Sequence, residues 1–155
     1  LTQPPSPHHA WEVTQPTAED TPPLQATAAQ VSIDSPEYRE GQRTEKLSQL
    51  AETRYDKEVD GTEVGGIPVK TDRESVALIT STKSGLEAMG GTVDWKSGDG
   101  HWVSIDIQTI NAMEAAVFTH IQRVRAVERE KAAQVLEAQT LAELDAVDLY
   151  GGWDA

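Results

Sequence analysis

The segment V-D-W-K-S-G-D-G-H-W-V-S-I, Val93 to Ile105, places two short aromatic-bearing strands either side of a glycine-rich turn, and its register can be argued residue by residue. A two- or four-residue loop would set Trp95 opposite Trp102 and Val93 opposite Ser104, stranding Val103 and Ile105 on the wrong face. A three-residue loop, Gly98 to Gly100, with Gly100 in the left-handed conformation of a G1 bulge, pairs Trp95 with Val103 and Val93 with Ile105. One face then becomes apolar. Because side chains alternate along a strand, the other face carries Asp94, Lys96, Trp102 and Ser104. Trp102 is therefore expected to stand outward beside Lys96, where a partner would meet it.

Composition divides the chain. Seven of its 8 prolines lie before residue 37. Residues 1–35 have no sustained period of 2 or 3.6 and read as an extended Pro-rich docking arm that cannot build its own core. Trp11, Val13 and Leu24 give that arm apolar anchors. With 26 acidic against 13 basic residues the formal net charge is -13, which argues against nucleic acid and anionic membrane surfaces as partners. The absence of cysteine excludes disulfides and thiolate chemistry. No apolar run approaches the roughly 20 residues of a membrane span, and the first residues do not read as a signal peptide.

Residues 36–139 read as an α+β domain. Pro36, after Ser35 as N-cap, opens a helix to about Val59 with Leu47, Leu50, Ala51, Tyr55 and Val59 on one stripe. Glu63 to Lys70 reads as one strand interrupted by Gly65 and Gly66. Thr71 and Glu74 form a capping-box pattern for a helix carrying Val76, Ile79, Leu86 and Met89, stopped by Gly90-Gly91. After the hairpin, Asp106 caps a third helix with Ile107, Ile110, Met113, Val117, Ile121 and Val124 on its inner face. Past Val127 the apolar stripe thins to Ala132, Val135 and Leu136, and the helix is expected to project beyond the core. Residues 140–155 read as a short helical turn capped by Gly151, with Trp153 in a flexible tail. The expected architecture is a small three-stranded antiparallel sheet packed against about three helices.

Candidate chemistry is sparse. G-I-P-V-K-T at Gly66 to Thr71 ends like a phosphate-binding loop but has Val69 where the motif needs glycine. D-W-K-S-G-D-G at Asp94 has Lys96 and Gly98 where a calcium loop needs oxygen ligands. His8 and His9 are adjacent in an extended segment and point apart, and His101 and His120 have no partners at a triad spacing. No catalytic, cofactor-binding or metal residue is assigned. The remaining candidates are interface residues: Trp11, Trp102, Lys96 and Trp153, since tryptophan joins large apolar area to a polar handle.

From about Leu47 onward the chain resembles a domain of unknown function encoded beside tail-fibre genes in tailed bacteriophages and prophages. The resemblance is carried by R-Y-D-K-E-V-D-G-T-E-V-G-G-I-P-V-K-T-D-R-E-S at Arg54 to Ser75 and V-D-W-K-S-G-D-G-H-W-V-S-I-D at Val93 to Asp106. P-P-S-P-H-H-A-W at Pro4 to Trp11 is similar to a segment of fibre and fibre-assembly proteins. The resemblance implies a non-enzymatic virion protein of the tail-fibre or baseplate region, made in the host cytoplasm, docking on other tail or fibre proteins or on its own copies. A tail-fibre assembly chaperone is the alternative, and a small hydrolase or metal-dependent enzyme a more distant one. No cofactor is implied.

Overall fold

The computed structural model describes residues 35–154. Pro36–Val59 forms α1, and Thr62–Val64 and Ile67–Val69 form β1 and β2. Arg73–Met89 forms α2, Val93–Lys96 and Trp102–Ile105 form β3 and β4, Ile107–Glu137 forms α3, and Leu141–Ala146 forms α4. At 31 residues α3 is about 46 Å long and is the spine of the body. Its inner face changes partners along its length. Val69, Ile79, Leu86, Trp95 and Ile105 gather on Ile110, Met113 and Val117 at its N-terminal half. Leu50, Leu144, Val147, Leu149 and Trp153 gather on Val124 and Val135 farther along.

The sheet differs from the expected one. The described residues form two separate two-stranded antiparallel sheets, β1–β2 and β3–β4, instead of one of three strands. Glu63 to Lys70 is not a single strand, because Gly65 and Gly66 both take positive φ, 56° and 81°, and turn the chain back so that Val64 pairs with Ile67. Two consecutive positive-φ residues are what a tight hairpin turn requires. Pro68 lacks an N–H, which restricts β2 as a ladder partner. The two hairpins meet where the Gly98 N–H donates to the Pro68 carbonyl at 2.7 Å. A Cβ at Gly98 would lie 3.2–3.3 Å from Pro68, so glycine permits the approach.

Helix ends bring further corrections. The N-cap of α2 is Asp72, whose carboxylate accepts from the Ser75 N–H at 3.0 Å and the Ser75 hydroxyl at 2.7 Å. Thr71 cannot cap it, since its buried hydroxyl donates to the Glu58 carbonyl (2.6 Å) and accepts from the Gly61 N–H (3.0 Å). That clamp closes the C-terminus of α1. Tyr55 and Met89, placed on inner stripes by spacing, are exposed, Met89 at 88 %. Asp106 caps α3 as expected, accepting from the Thr109 N–H at 2.9 Å.

The last third of α3 does not project. α1 runs antiparallel to it, with the Arg43 guanidinium donating to the Val135 and Ala138 carbonyls, and Val135 is fully buried. Nor is Trp153 in a loose tail: it is 1 % exposed, and its indole N–H donates to the Leu149 carbonyl at 2.9 Å. α4 starts at a Thr140–Glu143 capping box and ends at Val147 rather than at Gly151. Asp148 then accepts from the Tyr150 and Gly151 N–H groups and turns the chain inward.

Candidate docking surface

The β3–β4 hairpin has the register that alternation predicts. Val93 pairs with Ile105, Asp94 with Ser104, Trp95 with Val103 and Lys96 with Trp102. The Ser97 N–H donates to the His101 carbonyl and the Gly100 N–H to the Ser97 carbonyl, closing a three-residue loop with Gly100 at φ 88°. Trp95 and Ile105 are buried against α2 and α3, whereas Val93, at the strand's outer end, is partly exposed. Trp102 is 68 % exposed beside Lys96, which makes no ion pair among the described residues.

Around Trp102 the exposed apolar surface continues. Leu78 and Met89 on α2 border a groove of about 490 Å³ between that helix and β3, floored by Leu86 and Trp95 and rimmed by Lys96 and Trp102. Sequence spacing found Trp102 and Lys96 but missed Leu78, which lies off the α2 stripe, and assigned Met89 to the core. The signal available for both was position: α2 ends at Gly90, so Met89 stands on its last, open turn. Of the other interface candidates, Trp153 is core, and Trp11 lies outside the described residues, as do His8 and His9.

Two other sites bear on chemistry. In the hairpin loop, Asp99 accepts hydrogen bonds from the Ser97 hydroxyl and from the His101 N–H, and the His101 Nδ1 lies 3.1 Å from its second oxygen. The Ser97 and His101 bonds lower the Asp99 carboxyl to about 2. Serine, aspartate and histidine are thus adjacent, but the hydroxyl bonds the carboxylate and the His101 carbonyl (2.9 Å), and not an imidazole nitrogen. A nucleophile needs its hydroxyl on the base. The geometry locks a turn instead.

The second is a cleft of about 910 Å³ between α1, α2 and α3, lined by Arg54, Tyr55, Glu58, Arg125 and Glu128. Arg54 pairs with Glu58 at 2.7 Å and with Glu128 at 3.5 Å, and Arg125 pairs with Glu58 at 3.3 Å. Burial pushes the Glu58 carboxyl up, but the hydrogen bonds from Arg54 and Arg125 outweigh it and leave the group below its ordinary value. The charges are spent on one another, joining α1 to α3. His120, buried on α3, makes its Nε2 contact with the Lys57 carbonyl at 2.9 Å and so ties α3 to α1. Among the described residues no group of three or more His, Cys, Asp or Glu is placed to hold a metal ion, and no helix is long and apolar enough to cross a membrane.

Residues 41–148 match the model of a domain family described as a domain of unknown function (DUF4376), and the chain belongs to that family. No curated protein and no solved structure matches it.

Proposed function

We propose that this protein is a non-enzymatic structural component of a tailed bacteriophage particle, at the tail fibre or baseplate, that works by docking the Trp102 face on a neighbouring tail or fibre protein. The observation that carries the reading is Trp102 itself. A tryptophan 68 % exposed on a rigid hairpin, next to Met89 and Leu78, offers a large apolar area whose ordering has already been met by the fold. Aromatic anchors of that kind dominate the energetics of protein interfaces. The viral setting is supported by the motifs at Arg54 to Ser75 and Val93 to Asp106, which resemble domains from fibre loci. The Ser97–Asp99–His101 geometry, which holds a loop and activates no hydroxyl, supports a binding role over a hydrolytic one.

Mass spectrometry of purified particles of the encoding phage tests this reading. The chain is expected in fixed stoichiometry with the tail proteins. Its absence from particles, with capture of fibre protein from infected cells, would favour an assembly chaperone. In the same system Trp102→Ala is expected to lower incorporation by at least tenfold, as for an interface hot spot worth about 2 kcal/mol. An unchanged incorporation would remove Trp102 from the interface.

A further inference from the structure

Among the described residues the β3 strand has one partner, β4, and its other edge borders the groove. Which backbone groups face that edge follows from the loop. Ser97 and His101 form a hydrogen-bonded pair, and such pairs alternate along an antiparallel ladder with pairs whose N–H and C=O groups point outward. Counting back from Ser97, Trp95 bonds to β4, while the N–H and C=O groups of Asp94 and Lys96 turn away from it. No described hydrogen bond outside the hairpin takes them. An open edge with four such groups is a template for another strand.

We infer that the strand that fills this edge is β3 of a second copy of the same chain, laid antiparallel about a two-fold axis through Trp95. That register sets Asp94 opposite Lys96 of the second copy and Lys96 opposite its Asp94. Each cross-strand pair is oppositely charged, and each exchanges both backbone hydrogen bonds. A lysine alone on an edge strand discourages pairing, but an aspartate two residues away on the same face makes the edge complementary to itself. Asp94 and Lys96 are both exposed and form no ion pair among the described residues, so the charges are available. Leu78, Thr82, Gly85 and Met89 recur at four-, three- and four-residue steps along the α2 side of the same groove, small in the middle and apolar at the ends. The second copy covers the exposed Leu78 and Met89. Trp102, on the outer strand of the resulting four-stranded sheet, stays open on the face that carries the charges, so the pairing takes up Leu78 and Met89 and leaves Trp102 itself to the neighbouring protein.

Sedimentation velocity on the full chain tests the pairing. The wild type is expected to sediment at twice the 16.9 kDa chain mass as concentration rises. Asp94→Lys and Lys96→Asp, each alone, place like charges opposite one another and are expected to sediment as monomers. An equimolar mixture of the two restores opposite charges at both positions and is expected to recover the doubled mass, as is the double variant Asp94→Lys/Lys96→Asp. A wild type that stays monomeric at its highest soluble concentration would overturn the inference. So would a dimer that survives either single variant, or single variants that stay monomeric when mixed.

Discussion

Trp153 and Trp102 are the same side chain placed toward opposite ends of α3, and the fold treats them differently. Trp153 is 1 % exposed, hydrogen-bonded through its indole, packed with Leu50 and Val135, and covered by Lys131, whose Nζ lies 5.9 Å from the ring centroid. Trp102 has Lys96 and Ser104 on its face of the hairpin and lies open to solvent. At the C-terminal end, α1 and the chain after Ala138 close over Val124 and Val135 of α3 and leave Leu136 outside. At the N-terminal end, α2 and the two small hairpins bury Ile110, Met113 and Val117 as fully, but leave their own Leu78, Met89 and Trp102 exposed. The sealed end is where stability resides, and the open end has surface left for a partner.

The largest test of that contrast is a pair of substitutions. Trp153→Ala removes a fully buried side chain and is expected to cost about 4 kcal/mol, while Trp102→Ala, exposed, should lie within about 0.5 kcal/mol of the wild type. Urea unfolding followed by far-ultraviolet circular dichroism measures both. Comparable losses at the two positions would break the distinction between the ends.

Thr71 stands where the two halves join, and its substitution gives a smaller effect. Thr71→Val keeps the shape but leaves the Gly61 N–H and the Glu58 carbonyl without their hydroxyl partner. A loss of about 2 kcal/mol is expected in the same unfolding experiment, the cost of leaving such groups unsatisfied. A neutral Thr71→Val would mean that α1 and β1 hold their relation without the clamp.

These residues also mark where sequence reasoning reached and where it stopped. The β3–β4 register was legible because alternation and the need for positive φ at Gly100 act within thirteen residues, and the exposure of Trp102 followed from them. The β1–β2 hairpin was not, because strands of three residues carry too little alternation to separate a turn from an interruption. Thr71 and Asp72 are both good caps, and the choice between them was made by α1, whose Glu58 carbonyl lies thirteen residues upstream. Trp153 and Val135 were misread for the same kind of reason. Their burial depends on α1 and the terminal segment meeting across the helix, which no local period records. Leu78 and Met89 became visible as surface only once α2 was laid on the hairpin.

The finest comparison concerns two aspartates that perform one task at the two ends. Asp99 in the hairpin loop and Asp148 in the terminal turn each gather hydrogen bonds, from the Ser97 hydroxyl and His101 N–H in one case and from the Tyr150 and Gly151 N–H groups in the other. Both carboxyls are lowered by those bonds, Asp99 to about 2. A group whose pKa is lower in the folded than in the unfolded chain contributes stability that is fully present above the unfolded value of about 3.9, and that contribution is lost as pH falls through the folded value. Acid between about 4 and 2 should therefore loosen the Asp99 turn, and acid below about 4 the Asp148 turn, with different consequences. Asp148→Asn is expected to lower the global unfolding midpoint at neutral pH, because its turn delivers Trp153 to the core. Asp99→Asn is expected to speed amide exchange at His101 and leave the midpoint within error, because its loop packs on little besides Pro68. Nuclear magnetic resonance titration supplies the control: Ser97→Ala, which removes the largest stabilising bond, should move the Asp99 titration upward from about 2. If Asp99→Asn unfolded the whole body as Asp148→Asn does, the open end would be as much a part of the cooperative core as the sealed one.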